Sequence, residues 1–485
     1  MHWLHNVIII ITTFLISRIT VDAGLHQRLI QFVLRRSTPK LSILTSIILF
    51  YSYGLSIFFP NTVVVLAIIP VIHRIVALIK DDTVKKFFST NLVMALVYGA
   101  NIGGMGSLNG SSLNIVLISF FEIYQIPGRE HITFFSWLLV GIPVTLIYIF
   151  ISRLLLKLGE KKITLNISQL ENISTDFNGF IKYMIAFALN YFIIVLLSAI
   201  QFIYKPVPIL QHLNWIDILF LLYLIVFILF AFFFPKQDRS IIGLFKNIVY
   251  NLSYIMLFPL IFIKEILKEI KIRFHINSKT WIKKLDNFTN SIWGFIWFII
   301  FGEQKKITRS RNDNAYISLN RMIFDLPFFG LLFFGILSII IYLLINFGDD
   351  PSTPQIDSYL FHYLGEITHF LIPKGGQLFL FLLIIALVSI FLTEFFNNTT
   401  ILIIMIPIII NICSQSAINP IPYLLACNAG ANGAFMTPIA TSVNAIAFTS
   451  LPGISFKRII LLGLFLNIFG AMWITVVCYG LTYFL

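Results

Sequence analysis

Apolar runs near 20 residues recur along the chain, separated by short polar connections, and the pattern predicts helices that cross a membrane. A first span covers residues 4–21. The basic, amphipathic stretch "HQRLIQFVLRRSTPK" follows and reads as a helix lying along the cytoplasmic interface. Residues 41–79 are apolar but broken at Pro60-Asn61-Thr62. Residues 87–124 are apolar but broken by "NIGGMGSLNGSSLN". Uninterrupted spans are predicted near 134–156, 178–203, 214–234 and 323–346. A second broken pair covers 378–412 and 422–450, and a last span runs from 459 to the end. The stretch 236–318 departs from this pattern. It is rich in Lys and Arg, and two apolar patches in it, 241–263 and 291–301, leave open whether either crosses.

The breaks are related to one another. "SIFFPNTVVVLAIIPVI" from Ser56 and "TEFFNNTTILIIMIPII" from Thr393 align without a gap, sharing Phe-Phe, Asn-Thr, Ile-Pro and a final Ile. Each is followed by a second interruption, "GANIGGMGSLNGSSLN" from Gly99 and "AGANGAFMTPIATSVN" from Ala429. These align with Asn114 on Asn444, Ser112 on Ser442, Ser111 on Thr441, Gly110 on Ala440 and Gly103 on Gly433.

Lys and Arg concentrate in residues 28–40, 80–86, 153–162, 236–311 and at Lys457-Arg458, whereas the intervening connections are poor in them or acidic. With the basic connections on the cytoplasmic side, the break at Asn61 is entered from the cytoplasm and the break at Asn398 from outside. Paired interruptions of opposite orientation are the sequence sign of a secondary transporter built from inverted repeats. Irregular backbone is tolerated at membrane depth only where it is buried in protein or lines a cavity. Unwound carbonyls there suit Na⁺, and half-helix N-termini with Asn, Ser and Thr suit an anion.

Composition narrows the class further. The 485 residues are 58% hydrophobic and 11% charged, with 50 Phe and a mean hydropathy of +0.92. Soluble proteins carry about 25% charged residues, so a soluble catalytic domain is excluded. The +13 net charge is spread between spans, which argues for positive-inside sorting and against nucleic-acid binding. Cys413, Cys427 and Cys478 lie in apolar segments, offering neither a disulfide framework nor a CxxC metal site. At the N-terminus, "VIIIITTFLI" with "VDAG" has the outline of a signal peptide. The preceding "MHWLHN" lacks Lys and Arg, which favours an uncleaved span with its N-terminus outside.

At the interruptions the chain resembles the divalent anion–sodium symporters (DASS) of the ion-transporter superfamily. That family carries Ser-Asn-Thr signatures at two helical hairpin tips and two unwound loops in the helices that follow. Here the tips read Pro60-Asn61-Thr62 and Asn397-Asn398-Thr399, and the loops "GSLNGSSLN" and "MTPIATSVN". The resemblance implies an all-α polytopic membrane protein, an inverted-repeat transporter with two re-entrant hairpins and two unwound transmembrane helices. The implied layout is an N-terminal span and interfacial arm over 1–40 and a first repeat over 41–160. Scaffold spans over 161–235 and a basic cytoplasmic insert over 236–318 come next, then a scaffold span and external arm over 319–377, and a second repeat over 378–485.

The resemblance also implies site residues. One Na⁺ site would use Ser56, Asn61 and Gly110, the other Thr393, Asn398 and Ala440; Gly110 and Ala440 can offer only backbone carbonyls. Substrate carboxylate would meet Asn61, Thr62, Asn398 and Thr399, with Ser111 and Thr441. The family's signature Ser is replaced by Pro60 and Asn397, which removes a hydroxyl from each tip, and Pro60 also lacks an amide donor. The loops' Pro-Pro pairs are replaced by Ser112-Leu113 and Ser442-Val443.

The implied function is Na⁺-coupled uptake of a small divalent anion, a di- or tricarboxylate, across the cell membrane, with Na⁺ as coupling ion and no other cofactor. Alternatives are sulfate or another oxyanion, a Na⁺/H⁺ antiporter of the same superfamily, and a transport-dead membrane sensor. No clustered acids, bases or metal ligands point to an enzyme. The partners are the anion, sodium ions and lipid. A homodimer stays open, because one span precedes the first hairpin where the family places several dimer-forming helices. Glu394 neighbours the second tip and aligns with Ile57, which leaves a structural hydrogen bond and a proton-linked role open. His362, Glu366 and His369 share a helical face as candidate metal ligands. Asp217 and Asp325 stand at span ends, where solvation is expected.

Overall fold

The computed structural model describes residues 40–160 and 377–484 almost continuously, most of 180–229, and scattered positions elsewhere. The basic insert, the span near 323–346, Asp325 and the His362, Glu366, His369 group lie largely or wholly outside the described residues. The chain divides into two compact units, Met1–Phe220 with Tyr363–Leu485, and Leu221–His362. Of the second unit, the described residues are the end of one helix and scattered positions between 248 and 292.

In the first repeat, α1 (Leu41–Ser56) and α2 (Asn61–Ala77) are separated by a tight turn. Next come α3 (Asp82–Met105), α4 (Ser112–Ile123) and α5 (Phe134–Lys157). Asp81 caps α3 by accepting from Thr83 N (2.8 Å) and Val84 N (3.1 Å), the usual satisfaction of orphan N-terminal donors. Thr133 and Ser136 form a reciprocal capping box at the start of α5. After α6 (Phe180–Ile203), a short antiparallel ribbon of β1 (Pro208–Leu210) and β2 (Leu213–Asn214) leads into α7 (Trp215–Ile228). This ribbon is a small addition to the expected all-helical chain. The second repeat comprises α8 (Leu378–Thr393), α9 (Asn398–Gln415), α10 (Ile421–Asn432), α11 (Ser442–Ser450) and α12 (Phe456–Leu481).

The core sits around α3, which is buried at every residue from Phe88 to Met105. α1 packs so closely on it that a Cβ on Gly99 would lie 1.9 Å from Ser52 Oγ and 2.4 Å from Leu49 O. Only glycine permits that approach. By contrast α5, α6 and α12 expose Phe150, Phe192, Phe465 and Met472. Four described helices are long and apolar enough to cross a membrane, those covering 134–157, 184–203, 398–415 and 456–481. Lipid accounts for the exposed apolar surface, and the protein is a polytopic helical membrane protein.

Contacts between helix ends fix the path of the chain. At one end Ser42 Oγ donates to Glu160 Oε2 (2.6 Å), which also pairs with Arg153 (3.0 Å). At the same end Arg458 reaches Asn91 Oδ1 (2.9 Å) and Leu158 O (2.7 Å), with its guanidinium over the Phe87 ring. The starts of α1, α3 and α12 therefore lie with the end of α5. At the opposite end Phe379 meets Tyr479 (ring centroids 5.5 Å apart), and Ile126 shares a buried cluster with Ile421. Thus α1 starts at one end and α8 at the other.

Asp217 departs from expectation. It is fully buried, and its Oδ1 lies 2.5 Å from His5 Nε2, so a histidine ring rather than solvent meets it. The sequence shows a charge at a span boundary but not a partner some 200 residues away.

Candidate functional site

The turns and loops that interrupt the two repeats meet around one cavity of about 260 Å³. Its walls come in matched pairs: Pro60 and Asn397, Asn61 and Asn398, Thr62 and Thr399, Gly110 and Ala440, Ser111 and Thr441, Leu113 and Val443, with Asn101 and Asn432 beside them. All six expected substrate-contact residues line it. Of the six expected Na⁺ ligands, Asn61, Gly110, Asn398 and Ala440 line it, while Ser56 and Thr393 are buried directly behind. No Lys or Arg is among the lining residues.

Four helices begin at this cavity. Asn61 opens α2. Ser111 caps α4, accepting from Leu113 N (3.3 Å). Asn397 caps α9, accepting from Thr399 N (2.9 Å). Thr441 caps α11, accepting from Asn444 N (2.9 Å). Each N-terminus brings unpaired backbone N–H groups and the positive end of a helix dipole, which favours an anion without any formal positive charge.

Behind the tips lie oxygens. The Asn61 amide faces Ala100 O (3.0 Å), Gly110 O (2.7 Å) and Ser56 Oγ (2.5 Å). With its nitrogen inward it donates to these acceptors. With Oδ1 inward, four oxygens come together, an arrangement that a hard cation would hold. In the second repeat Thr393 Oγ1 meets Asn398 Oδ1 and Ala431 O, the latter at 3.3 Å. Both rings consist of hydroxyl, amide and carbonyl oxygens without a carboxylate.

The unwound loops are held identically. Asn114 Nδ2 donates to Gly104 O (2.9 Å) and Ser107 O (2.7 Å). Its counterpart Asn444 donates to Ala434 O (3.0 Å) and Thr437 O (2.9 Å). Ser107 Oγ donates to Ile57 O, and Thr437 Oγ1 donates to Glu394 O (2.7 Å). Each loop is thereby pinned to the tip of its own repeat.

Glu394 breaks the symmetry. Its buried carboxylate accepts from Phe435 N (2.8 Å), Met436 N (2.9 Å) and Asn467 Nδ2 (2.7 Å) at Oε1, and from Thr437 N (2.9 Å) and Thr437 Oγ1 (3.0 Å) at Oε2. The aligned Ile57 can do none of this. Of the two roles that the sequence left open, the geometry displays the structural one. The loop amides that meet Glu394 carry no sequence signal, whereas the aligned Asn114 and Asn444 could have suggested the loop-holding pair.

A larger cavity of about 790 Å³ lies between α5, α10 and α12, walled by Val140, Val144, Ile474 and Val477. Its walls are mainly apolar, which does not suit a small anion. Among the described residues no group of three His, Cys, Asp or Glu could hold a metal ion.

A helical membrane protein with two like sets of oxygens and helix N-termini around one polar cavity has the construction of a secondary transporter. The model of the citrate transporter family matches residues 4–275 and 356–485, and the chain belongs to that family. It is 22% identical to the sodium-dependent dicarboxylate transporter SdcS of Staphylococcus saprophyticus over 436 residues, 88% of this chain and 67% of that protein. It is 24% identical to an uncharacterized transporter of Haemophilus influenzae over 401 residues, 82% of this chain and 64% of the relative. The human Na⁺/dicarboxylate cotransporter 3 is 32% identical over 106 residues, 20% of this chain and 17% of that protein. The chain thus spans about two thirds or less of these relatives' own lengths. The resemblance to divalent anion–sodium symporters agrees with these relatives.

Proposed function

We propose that this protein is a sodium-coupled symporter that carries a small di- or tricarboxylate across the cell membrane. The observation that carries the reading is the convergence of two matched half-sites on one cavity, each with an oxygen ring behind a helix N-terminus. In this reading Na⁺ binds at Ser56, Asn61 and Gly110, and at Thr393, Asn398 and Ala440. The bound cations and four helix N-termini together attract carboxylates to Asn61, Thr62, Ser111, Asn398, Thr399 and Thr441. Because the cavity walls hold no basic side chain, the anion depends on the cations, and this dependence is the coupling.

The path of the chain supports re-entrant hairpins at α1–α2 and α8–α9, entered from opposite faces as inverted repeats. The layout keeps the domain boundaries given above, with the N-terminus outside and the basic insert cytoplasmic. A second reading, transport of sulfate or another oxyanion, is favoured by Pro60 and Asn397, which stand in the cavity wall where the symporters carry Ser.

Uptake of radiolabelled succinate, citrate and sulfate into proteoliposomes, with and without Na⁺, tests both. Carboxylate uptake that requires Na⁺, with at least two ions per anion, is expected. Undiminished uptake in choline or K⁺ medium at fixed pH refutes the coupling, and Na⁺-driven uptake of sulfate alone selects the second reading.

A further inference from the structure

The two half-sites are not independent of each other. Asn114, which holds the first loop, has its carbonyl oxygen bound by Asn428 Nδ2 (2.7 Å), and Asn428 belongs to α10 of the second repeat. Asn444, which holds the second loop, has its carbonyl oxygen bound by Asn101 Nδ2 (3.1 Å), and Asn101 belongs to α3 of the first repeat. Asn101 also reaches Ala434 O (3.1 Å) on the second loop. All four amides are buried: Asn114 and Asn444 fully, Asn101 and Asn428 at 2% and 3% exposure.

From this crossing we infer that Asn101 and Asn428 are positioning residues that couple the two half-sites, each setting the loop of the repeat to which it does not belong. The physical reason is the cost of leaving a buried polar group without its partner. The Asn114 amide cannot release Gly104 O and Ser107 O without disturbing the oxygen that Asn428 holds, and the same applies to Asn444 and Asn101. A cation that orders the Gly110 carbonyl therefore stiffens Asn114, which fixes α10 of the other repeat. Stiffening by one ligand reduces the ordering that remains for the next, which is positive coupling without a large structural change. The inference rests on reading the two oxygen rings as cation sites.

The test has two arms. In the first, hydrogen–deuterium exchange is followed in the purified full-length protein. Asn428→Ala should speed exchange across residues 104–113, in the other repeat, more than across 433–441 in its own. Asn101→Ala should do the reverse. Faster exchange only in the variant's own repeat, or equally in both loops, overturns the inference. Should Asn428→Ala not fold, Asn428→Ser removes the same bond with a polar side chain in place.

In the second arm, the Na⁺ concentration for half-maximal uptake is measured in double-mutant cycles. Asn428→Ala should raise it about 3- to 10-fold, the effect of one lost hydrogen bond. Its effect should be strongly non-additive with Ser56→Ala and less so with Thr393→Ala. Asn101→Ala should show the opposite pairing. A merely structural lesion would not produce this crossed pattern, and additivity in all four cycles refutes the coupling. If the wild-type protein takes up its anion without Na⁺, the symport reading falls, and the exchange arm alone decides whether the loops are cross-held.

Discussion

Replacing Glu394 by Gln keeps the side chain's size and removes one acceptor. Five donors address the carboxylate, three at Oε1 and two at Oε2. The glutamine does least damage with its NH₂ group at the Oε2 position. There the Thr437 hydroxyl can turn its hydrogen wholly to Glu394 O, 2.7 Å away, and accept from the new NH₂. One backbone donor, Thr437 N–H, is then left without a partner. A hydrogen bond to a charged group contributes about 1.5–3 kcal/mol, and relief from burying a charge acts in the opposite direction. The expected loss lies near the lower figure. Glu394→Ala instead strips three backbone N–H groups and Asn467 at once, roughly 1–3 kcal/mol for each, so it should be several-fold worse. Thermal unfolding can be followed with a thiol-reactive dye, because Cys413, Cys427 and Cys478 are all buried and free. The expected order of apparent midpoints is wild type, then Gln, then Ala well below both. A Gln variant as stable as wild type but inactive in uptake would refute the clamp and make Glu394 a proton-linked group.

Further outcomes follow from the same geometry. Asn61→Ala and Asn398→Ala should each cut Na⁺-driven uptake about 10- to 100-fold, the effect of a lost bond to a charged group, in properly folded protein; normal transport by both would make the breaks packing features only. Gly110→Ala should abolish uptake, since its Cβ would lie 2.4 Å from Ser56 O and 2.7 Å from Gly104 Cα, whereas Ala440→Gly at the matched position should be tolerated. Pro60→Ser and Asn397→Ser should raise dicarboxylate uptake relative to sulfate, and an unchanged ratio would remove both positions from selectivity. Single cysteines at Lys157 and His131 should react with impermeant reagents from opposite faces of intact cells, the second from outside.

The device at the heart of the site was legible because it is present twice. Asn61 and Asn398, or Ser111 and Thr441, each look like ordinary membrane polar residues alone, and become informative when the two stretches align without a gap. The charge distribution added direction, and the ends that carry Arg153, Glu160 and Arg458 do gather at one end of the fold. What could not be read were contacts between segments distant in sequence that repeat no pattern. Asp217 looked solvated because its partner, His5, precedes it by some 200 residues. Glu394 looked like an exception to the repeat because its partners are mainly backbone N–H groups, which every residue but proline carries.

That exception changes how the two halves should behave. Glu394 ties Phe435, Met436 and Thr437 to the second tip, whereas the first loop is joined to its tip through Ser107 Oγ on Ile57 O and Asn61 N on Gly110 O (3.3 Å). The Gly110 carbonyl stands on that looser loop. If the two rings are the cation sites proposed above, the second is held in shape by the protein, whereas the first would take its final shape from the ion that enters it. A preformed ring needs less ordering when its ion arrives, so the second ring should bind Na⁺ more tightly and fill first. Thr393→Ala should consequently raise the Na⁺ requirement at low concentrations, while Ser56→Ala should affect mainly the upper part of the Na⁺ activation curve. Identical curves for the two variants would show that the carboxylate stabilises the fold without distinguishing the sites.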